Sequence, residues 1–531
     1  MKLKKFSFVI DQPYLWLFGI ALALRLLAAV WVRQPGFVDA YYYYQVAENW
    51  YTGHGLSEST VWNYQVSGFQ PLQPPTSFTQ PAFAYWMPLS TFLTASGFLL
   101  LGGVSFWAAT LPFMLLAATL PPLSYWVGQL AFGREQRRYS WLMAGFVLFP
   151  GRYFLFWNAP DNFAPFALLS LLCLLATWAG LYRHDRWLIA AGVLSGLAYL
   201  SRSDGILLMV ALVFSFLIRR RQKVQATEIR PRWWVLLVGL LAGLGVVMPW
   251  LLRNWATFGA ALSPNSSKAL YLKTYTDLFS YGLPLGPDYY FGWGFNNIFA
   301  SKLNAASLNL LILSIQGLFL SAPLFLIGLI FIGKNRVYLP FLVYLVVLYL
   351  AMTLVFTELG GHGTLFHSAG GLIPYQAGAV LAGVEGLANF RRKLKLASKS
   401  RSRAILLVAG LLCVLSAGLT LFYSATSGQE WDADYNYSRN LGDWFRRRNL
   451  AESVIIVAEP LSYYYTTGQR AIGQASDGLA ANLAAAKQYG AKYLVLGSQH
   501  YDALDSLYLE KRAQGLRLLE EFEGNQIYLI E

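Results

Sequence analysis

The chain has 531 residues, a formal net charge of +14, 56% hydrophobic and only 13% charged residues, with a mean hydropathy of +0.42. So apolar a chain of this length excludes a water-soluble enzyme, and its apolar runs of roughly 20 residues, the helix length that crosses a hydrocarbon core about 30 Å thick, exclude a barrel. Its basic residues fall in short clusters between apolar runs, which excludes nucleic acid as a partner, and Cys173 and Cys413 lie inside apolar runs, which excludes a disulfide framework or a Cys/His metal site.

In chain order, Lys2, Lys4 and Lys5 precede an uncleaved first span near 13–32. Further spans are predicted near 105–131, 139–157, 163–182, 187–201, 205–218, 233–253, 306–331, 338–356, 372–389 and 404–423, about eleven crossings in all. The apolar segment 85–103 does not cross, because crossing would export Arg134, Arg137 and Arg138. It is predicted as an interfacial helix opened by Pro81, with Tyr85 and Trp86 as its anchors. With the N-terminus cytoplasmic, the inside loops hold those arginines, Arg183 and Arg186, Arg219 to Arg221 with Lys223, Lys334 and Arg336, and the basic run from Arg391 to Arg403. Lysine and arginine bias of this kind sets orientation. The predicted architecture is an all-α polytopic membrane bundle over 1–423 and a small extracytoplasmic α/β domain over 424–531. In that domain strand-like runs at 453–457, 492–496 and 526–530 alternate with helical ones at 479–489 and 503–514. The outward loops are then 33–104, 151–162 with its acidic end at 158–162, 254–305 and 357–371.

An ionisable residue at the edge of a membrane is costly and so carries a functional hypothesis. Asp39, in Phe37-Val38-Asp39-Ala40-Tyr41-Tyr42-Tyr43-Tyr44, is a general base or the N-cap of a helix that stops at Gly53. Asp161, in Asn158-Ala159-Pro160-Asp161-Asn162-Phe163, is a second carboxylate of the same site or the cap of the fourth span. Arg202 and Asp204, in the turn Leu200-Ser201-Arg202-Ser203-Asp204-Gly205, pair with each other or present a cation to a lipid phosphate, a service that Arg253, Lys268 and Lys273 also offer. The 254–305 loop carries Tyr271, Tyr275, Tyr281, Tyr289, Tyr290, Phe291 and Trp293, rings that suit either the interface or a sugar face. In Gly360-Gly361-His362-Gly363-Thr364-Leu365-Phe366-His367-Ser368 the glycines permit close approach, and the histidine spacing matches no zinc motif. Asp204, Tyr275, His362 and His367 are the candidates for contact with substrate, and Arg25 and Arg152, embedded in spans, are support residues with buried partners.

Asp39 in a first outward loop, an interfacial helix after Gln80-Pro81, a second acid in the next outward loop and Arg202-Ser203-Asp204-Gly205 between short spans together resemble the GT-C superfamily of membrane glycosyltransferases. The resemblance covers roughly 13–388 and is narrower toward glycosyltransferase family 39, the protein O-mannosyltransferases and the aminoarabinose transferase that modifies lipid A. It implies a polyprenyl-phosphate sugar donor, inversion at the anomeric carbon and a first-loop Asp acting on the acceptor, a position matched by Asp39. Asp161 matches a second acidic position that in some relatives helps bind a metal or orient the donor. Ala40 stands where relatives often show a second acid, and there is no Asp-x-Asp pair around Asp161. A divalent cation (Mg or Mn) at Asp39 and Asp161, and a site that requires no cofactor, therefore both stay open.

The expected activity is transfer of a sugar from a polyprenyl-phosphate carrier to a hydroxyl or amine of a lipid, glycan or protein, at the outer face of the plasma (inner) membrane. Asp39 takes the acceptor's proton, and Arg202, Lys268 or Lys273 stabilise the departing phosphate. The rival readings are a transporter or lipid flippase and a non-catalytic scaffold. Transporters place ionisable groups at mid-membrane and show internal repeats, whereas these acids cluster toward one face. The discriminating expectation is that Asp39, Asp161 and a basic residue meet on one side.

Overall fold

The computed structural model describes residues 12–65, 78–223, 229–316, 321–393 and 401–531. Lys2, Lys4 and Lys5, and positions 394–400 of the expected basic run, lie outside the described residues. Among the described residues six helices are long and apolar enough to cross a membrane: Phe106–Phe132, Phe163–Tyr182, Trp233–Phe258, Phe295–Ile315, Arg336–Leu354 and Arg403–Ser427. Shorter helices pack among them, including Gln12–Ala28, Arg137–Leu148, Trp187–Ser201, Ile206–Arg221, Ala322–Ile332 and Ile373–Lys393.

Two expected spans are redrawn. The 306–331 span is two helices in series, Phe295–Ile315 and Ala322–Ile332, the second opening on Pro323, which has no N–H with which to continue a helix. The side chain of Gln376 donates to Leu313 O at 2.8 Å, while Gly328 and Phe331 lie against Ala379 and Gly386 further along the Ile373–Lys393 helix. The pair thus makes one broken crossing, and with it the described helices make about eleven passes. The 139–157 span ends early, at Leu148, because Pro150 and Gly151 (φ +61°) break it. The Tyr153–Phe156 turn beyond the break is held by Arg25, whose Nη1 donates to Phe154 O at 2.6 Å, and Asn158 Nδ2 answers to Arg25 O at 2.6 Å. Arg152, by contrast, is not embedded: it is exposed beside Tyr423, to whose hydroxyl Nε donates at 3.1 Å.

The bundle has a basic end and a domain end. Asn335 Nδ2 donates to Ala131 O at 2.8 Å, Arg219 Nε to Leu181 O at 3.3 Å, and Arg232 Nε meets Asp185 Oδ2 at 2.7 Å. These bonds gather the loops bearing Arg134, Arg183, Arg219 to Arg221 and Lys334 at one end. At the other end Thr420 Oγ1 accepts from Gly151 N at 3.1 Å, and Trp431 Nε1 donates to Gln34 O at 2.9 Å. The segment expected at the interface forms the Leu89–Leu101 helix, whose 13 residues span about 20 Å, too little to cross. It starts four residues later than expected. Tyr85 and Trp86 are not its anchors, because Trp86 is buried between Tyr42 and Trp62, each ring centroid 4.1 Å away.

Strands β1 (Ser57–Glu58) and β2 (Gln80–Pro81) pair in the first loop. The C-terminal domain holds β3 (Val454–Val457), β4 (Ala471–Gly473), β5 (Ala491–Leu496), β6 (Leu516–Phe522) and β7 (Asn525–Ile530) in the order β4-β3-β5-β7-β6. Three of these strands were expected; β4 is too short and β6 too charged to show alternation. The helix expected over 503–514 is confined to Asp505–Glu510, where Lys511 (φ +55°) ends it before β6. The domain is docked on the bundle. Val61 bridges Ile472 in parallel, with Gly473 N donating to Val61 O at 2.7 Å, and the Asp477 carboxylate accepts from Tyr281 N at 2.9 Å and Gly282 N at 2.8 Å. Two outward loops are thereby tied to one sheet.

Helix packing relies on small residues, as expected where lipid supplies no hydrophobic drive between helices. A Cβ at Gly192 would lie 1.8 Å from Gly239 O, on the facing helix. Gly192→Leu is therefore expected to cost at least ~1–3 kcal/mol by overpacking, read as a lower thermal midpoint in detergent. Gly245→Leu, at a position with nothing within 4 Å, leaves the midpoint unchanged.

Candidate functional site

Asp39 lies in the Val38–Tyr51 helix, whose N-cap is Phe37 with no side-chain cap bond. It is the second helical residue, so capping does not explain it. The helix is held by its tyrosines: Tyr41 to Tyr44 are all buried, and Tyr42 OH accepts from Phe83 N at 2.6 Å. Asp161 lies in the turn that Arg25 clamps. It is fully buried, neither carboxylate oxygen has a hydrogen-bond partner among the described residues, and the neighbouring N-cap Asn162 makes no side-chain cap bond either. Capping fails for both acids.

The structure brings these acids together with His367: each of the three presents one ligand atom, all within 4.8 Å of one another. His367 Nδ1 lies 3.5 Å from Asp161 Oδ2 and 2.6 Å from Asn162 Oδ1, and its ring stacks on Phe163 at 3.7 Å. Gly363, at φ +108°, supplies the turn that separates the two histidines. His362 consequently points elsewhere, exposed and stacked at 4.4 Å on Tyr275.

Arg202 caps the end of the Trp187–Ser201 helix and meets the first of its two expected purposes, pairing with Asp204. Its Nε meets Asp204 Oδ1 at 3.1 Å, and its Nη1 donates to Asn162 Oδ1 at 3.3 Å. The other Asp204 oxygen accepts from Ser368 Oγ, so one ion pair joins three segments of chain. Burial pushes Asp39 up to about 6, with Arg202 and the Trp86 indole pulling the other way. Burial and then the charge of Asp39 raise Asp161 well above the usual carboxylate range. Burial, reinforced by Arg202, holds His367 well below its ordinary value, which keeps the imidazole neutral and able to bind a metal. Burial works against the charge of Arg202 too, but Asp204 and Asp161 hold its pKa above the ordinary value.

The three other expected cations make their contacts with other segments. Arg253 Nη2 donates to Ala82 O at 2.8 Å, and its guanidinium lies 4.9 Å from the Trp250 ring. Lys268, lowered to about 8 by burial, donates to Gln65 O at 2.6 Å. Lys273 lies over the Tyr289 ring at 3.8 Å. Tyr275 is half-buried, and burial and then the charges of Asp39 and Glu459 raise its phenol. Residues that sequence reasoning passed over also belong here. Asn162, Trp86 and Ser368 stood inside or beside motifs already singled out, whereas Glu459 comes from the C-terminal domain and had no local signal. Burial, Asp434 and Asp39 push Glu459 up to about 8.

The family described as dolichyl-phosphate-mannose-protein mannosyltransferase matches residues 86–252. No curated protein matches the chain in sequence. Among solved structures, the chain is similar to ArnT from Cupriavidus metallidurans in the apo state, at 14% identity and a TM-score of 0.59, over 97% of each chain. ArnT from the same organism bound to undecaprenyl phosphate matches with 13% identity and a TM-score of 0.59, over 98% of each chain. The apo oligosaccharyltransferase of Archaeoglobus fulgidus matches at 13% identity and a TM-score of 0.50, over 92% of this chain and 70% of that one. Family match and fold agree with the resemblance read from the sequence: this is a multi-pass membrane chain with the GT-C fold of the membrane glycosyltransferases.

Proposed function

We propose that the chain is a glycosyltransferase that moves a sugar from a polyprenyl-phosphate carrier to a hydroxyl or amine of a lipid, glycan or protein, with inversion. The observation that carries this reading is the meeting of Asp39, Asp161 and Arg202 at the domain end of the bundle, from three separate segments of chain. The similarity to an ArnT structure that binds undecaprenyl phosphate supports the carrier. The lysine and arginine bias makes the opposite end cytoplasmic, so the site faces outward across the plasma membrane. A transporter would carry its ionisable groups at mid-membrane, and these do not lie there.

In this mechanism Asp39 accepts the proton of the attacking hydroxyl or amine as it bonds to the sugar's anomeric carbon, while the bond from that carbon to the carrier phosphate breaks. General-base help of this kind contributes typically ~10²- to 10⁴-fold. Charge grows on the departing phosphate, and Arg202, held in place by Asp204 and Asn162, meets it without having to reorganise. A divalent cation such as Mg²⁺ or Mn²⁺ fits Asp39, Asp161 and His367. The Asp161 oxygens are buried without hydrogen bonds, and two acids raised by burial gain from a cation between them. When bound, it would supply positive charge beside the phosphate.

Asp39→Asn should reduce transfer from a radiolabelled polyprenyl-phosphate sugar by roughly 10²-fold or more while donor binding and thermal midpoint persist. A variant that transfers as well as the parent, or that loses its fold in proportion, counts against the base. Asp161→Asn and His367→Ala should each weaken Mn²⁺ binding to the purified protein by about tenfold or more, measured by electron paramagnetic resonance. Unchanged Mn²⁺ binding in both would remove the cation from the proposal.

A further inference from the structure

Away from the acids, a cavity of about 330 Å³ lies between the first half of the broken crossing and the 357–362 turn, a volume at the lower end of small-molecule sites, about 300–1,000 Å³. Its polar lining is Trp293, Asn297, Ser301 and Asn304 on one side and Glu358 and His362 on the other. Positions 297, 301 and 304 share one helix face by spacing. The next face of the same helix is apolar and open: Phe295 is 78% exposed, Phe299 59% and Leu303 59%. Lys302, between them, hydrogen-bonds Thr357 just past the end of the Leu339–Leu354 helix. The cavity therefore opens at the level where spans end, beside a surface that faces acyl chains.

The lining has a definite chemistry. Two amides, a serine and a threonine hydroxyl, a carboxylate and an imidazole line it beside the Trp293 ring; Asn297 Nδ2 donates to Trp293 O at 2.8 Å and Ser301 Oγ to Ile298 O at 2.9 Å, which leaves the amide, hydroxyl and carboxylate oxygens as acceptors. No lysine or arginine lines the cavity, so nothing in it is built to hold phosphate. The far wall leads to the acids: His362 stacks face to face on Tyr275, at 4.4 Å and an interplanar angle of 5°, and Tyr275 is close enough to Asp39 to feel its charge.

We infer that this cavity seats the uncharged, hydroxyl-rich sugar ring of a membrane-anchored lipid, any phosphate lying outside it, with the lipid's chains along Phe295, Phe299 and Leu303. The inference rests on the glycosyltransferase reading only in assigning that head to a substrate. Two sources share the chemistry: the sugar of the carrier lipid, or the sugar of a glycolipid acceptor.

The test uses the full chain in phosphatidylcholine nanodiscs with three lipids that carry photoreactive chains: glucosyl-diacylglycerol, diacylglycerol, and prenyl-phosphate-glucose. A glucose-bearing lipid is expected to label the peptides over 293–308 and 357–362 about tenfold more than diacylglycerol. Asn304→Leu combined with Asn297→Leu should abolish that preference. Leucine suits a face that already carries Phe299 and Leu303, and an unchanged thermal midpoint confirms the fold. Preference for glucosyl-diacylglycerol assigns the cavity to an acceptor, and preference for prenyl-phosphate-glucose alone assigns it to the donor; both support the inference. Equal labelling by all three lipids, labelling untouched by the double variant, or disulfide cross-linking of Asn304→Cys between two copies of the chain would overturn it. Asp39→Asn leaves labelling intact. Failed transfer by the parent chain with intact labelling therefore tells against glycosyl transfer alone.

Discussion

Placing two carboxylates side by side, one of them wholly buried, is the constraint around which the molecule is organised. Asp161 is wholly buried, and its oxygens face Asp39 and His367 rather than any donor. Such a pair is costly in isolation, since burial and like charge both oppose ionisation. It persists because its backbone has no freedom to move away. Arg25 clamps the turn that carries Asp161, the buried tyrosines fix the helix that carries Asp39, and Arg202 joins Asp204, Ser368 and Asn162 behind them.

The same supports explain why so many polar side chains sit inside an apolar bundle. Among the described residues Arg25 has no acid partner and is satisfied by a carbonyl and an amide, which makes it a device for holding backbone. Arg202 does have an acid partner, yet its second contact, with Asn162, turns the guanidinium toward the site. A buried pair of this type is weak evidence for stability, and its position between segments marks it as a means of orientation.

The C-terminal domain closes the arrangement from outside the membrane segments. Its sheet takes the first loop as a partner through Val61 and Ile472, and Asp477 holds the 254–305 loop by two backbone donors. Phe279 stacks on Tyr501, and Leu461 packs with Tyr41 to Tyr43. The domain is thus one wall of the region in which Asp39 and Glu459 sense each other.

Much of this was legible in one dimension. Apolar runs, basic clusters and the punctuation of Pro and Gly determine that the chain crosses the membrane repeatedly, which loops share an end, and that Asp39, Asp161 and Arg202 share it too, because hydration and helix length act locally along the chain. What local pattern does not carry is contact between distant segments. Only tertiary packing decided that Trp86 leaves the interfacial helix for the core, that His367 joins the acids while His362 turns to Tyr275, that the 306–331 span is broken, and that Glu459 reaches the site from the last domain. His367 and Glu459 depend on partners hundreds of residues away and Trp86 on rings tens of residues away, contacts that leave no period in the sequence.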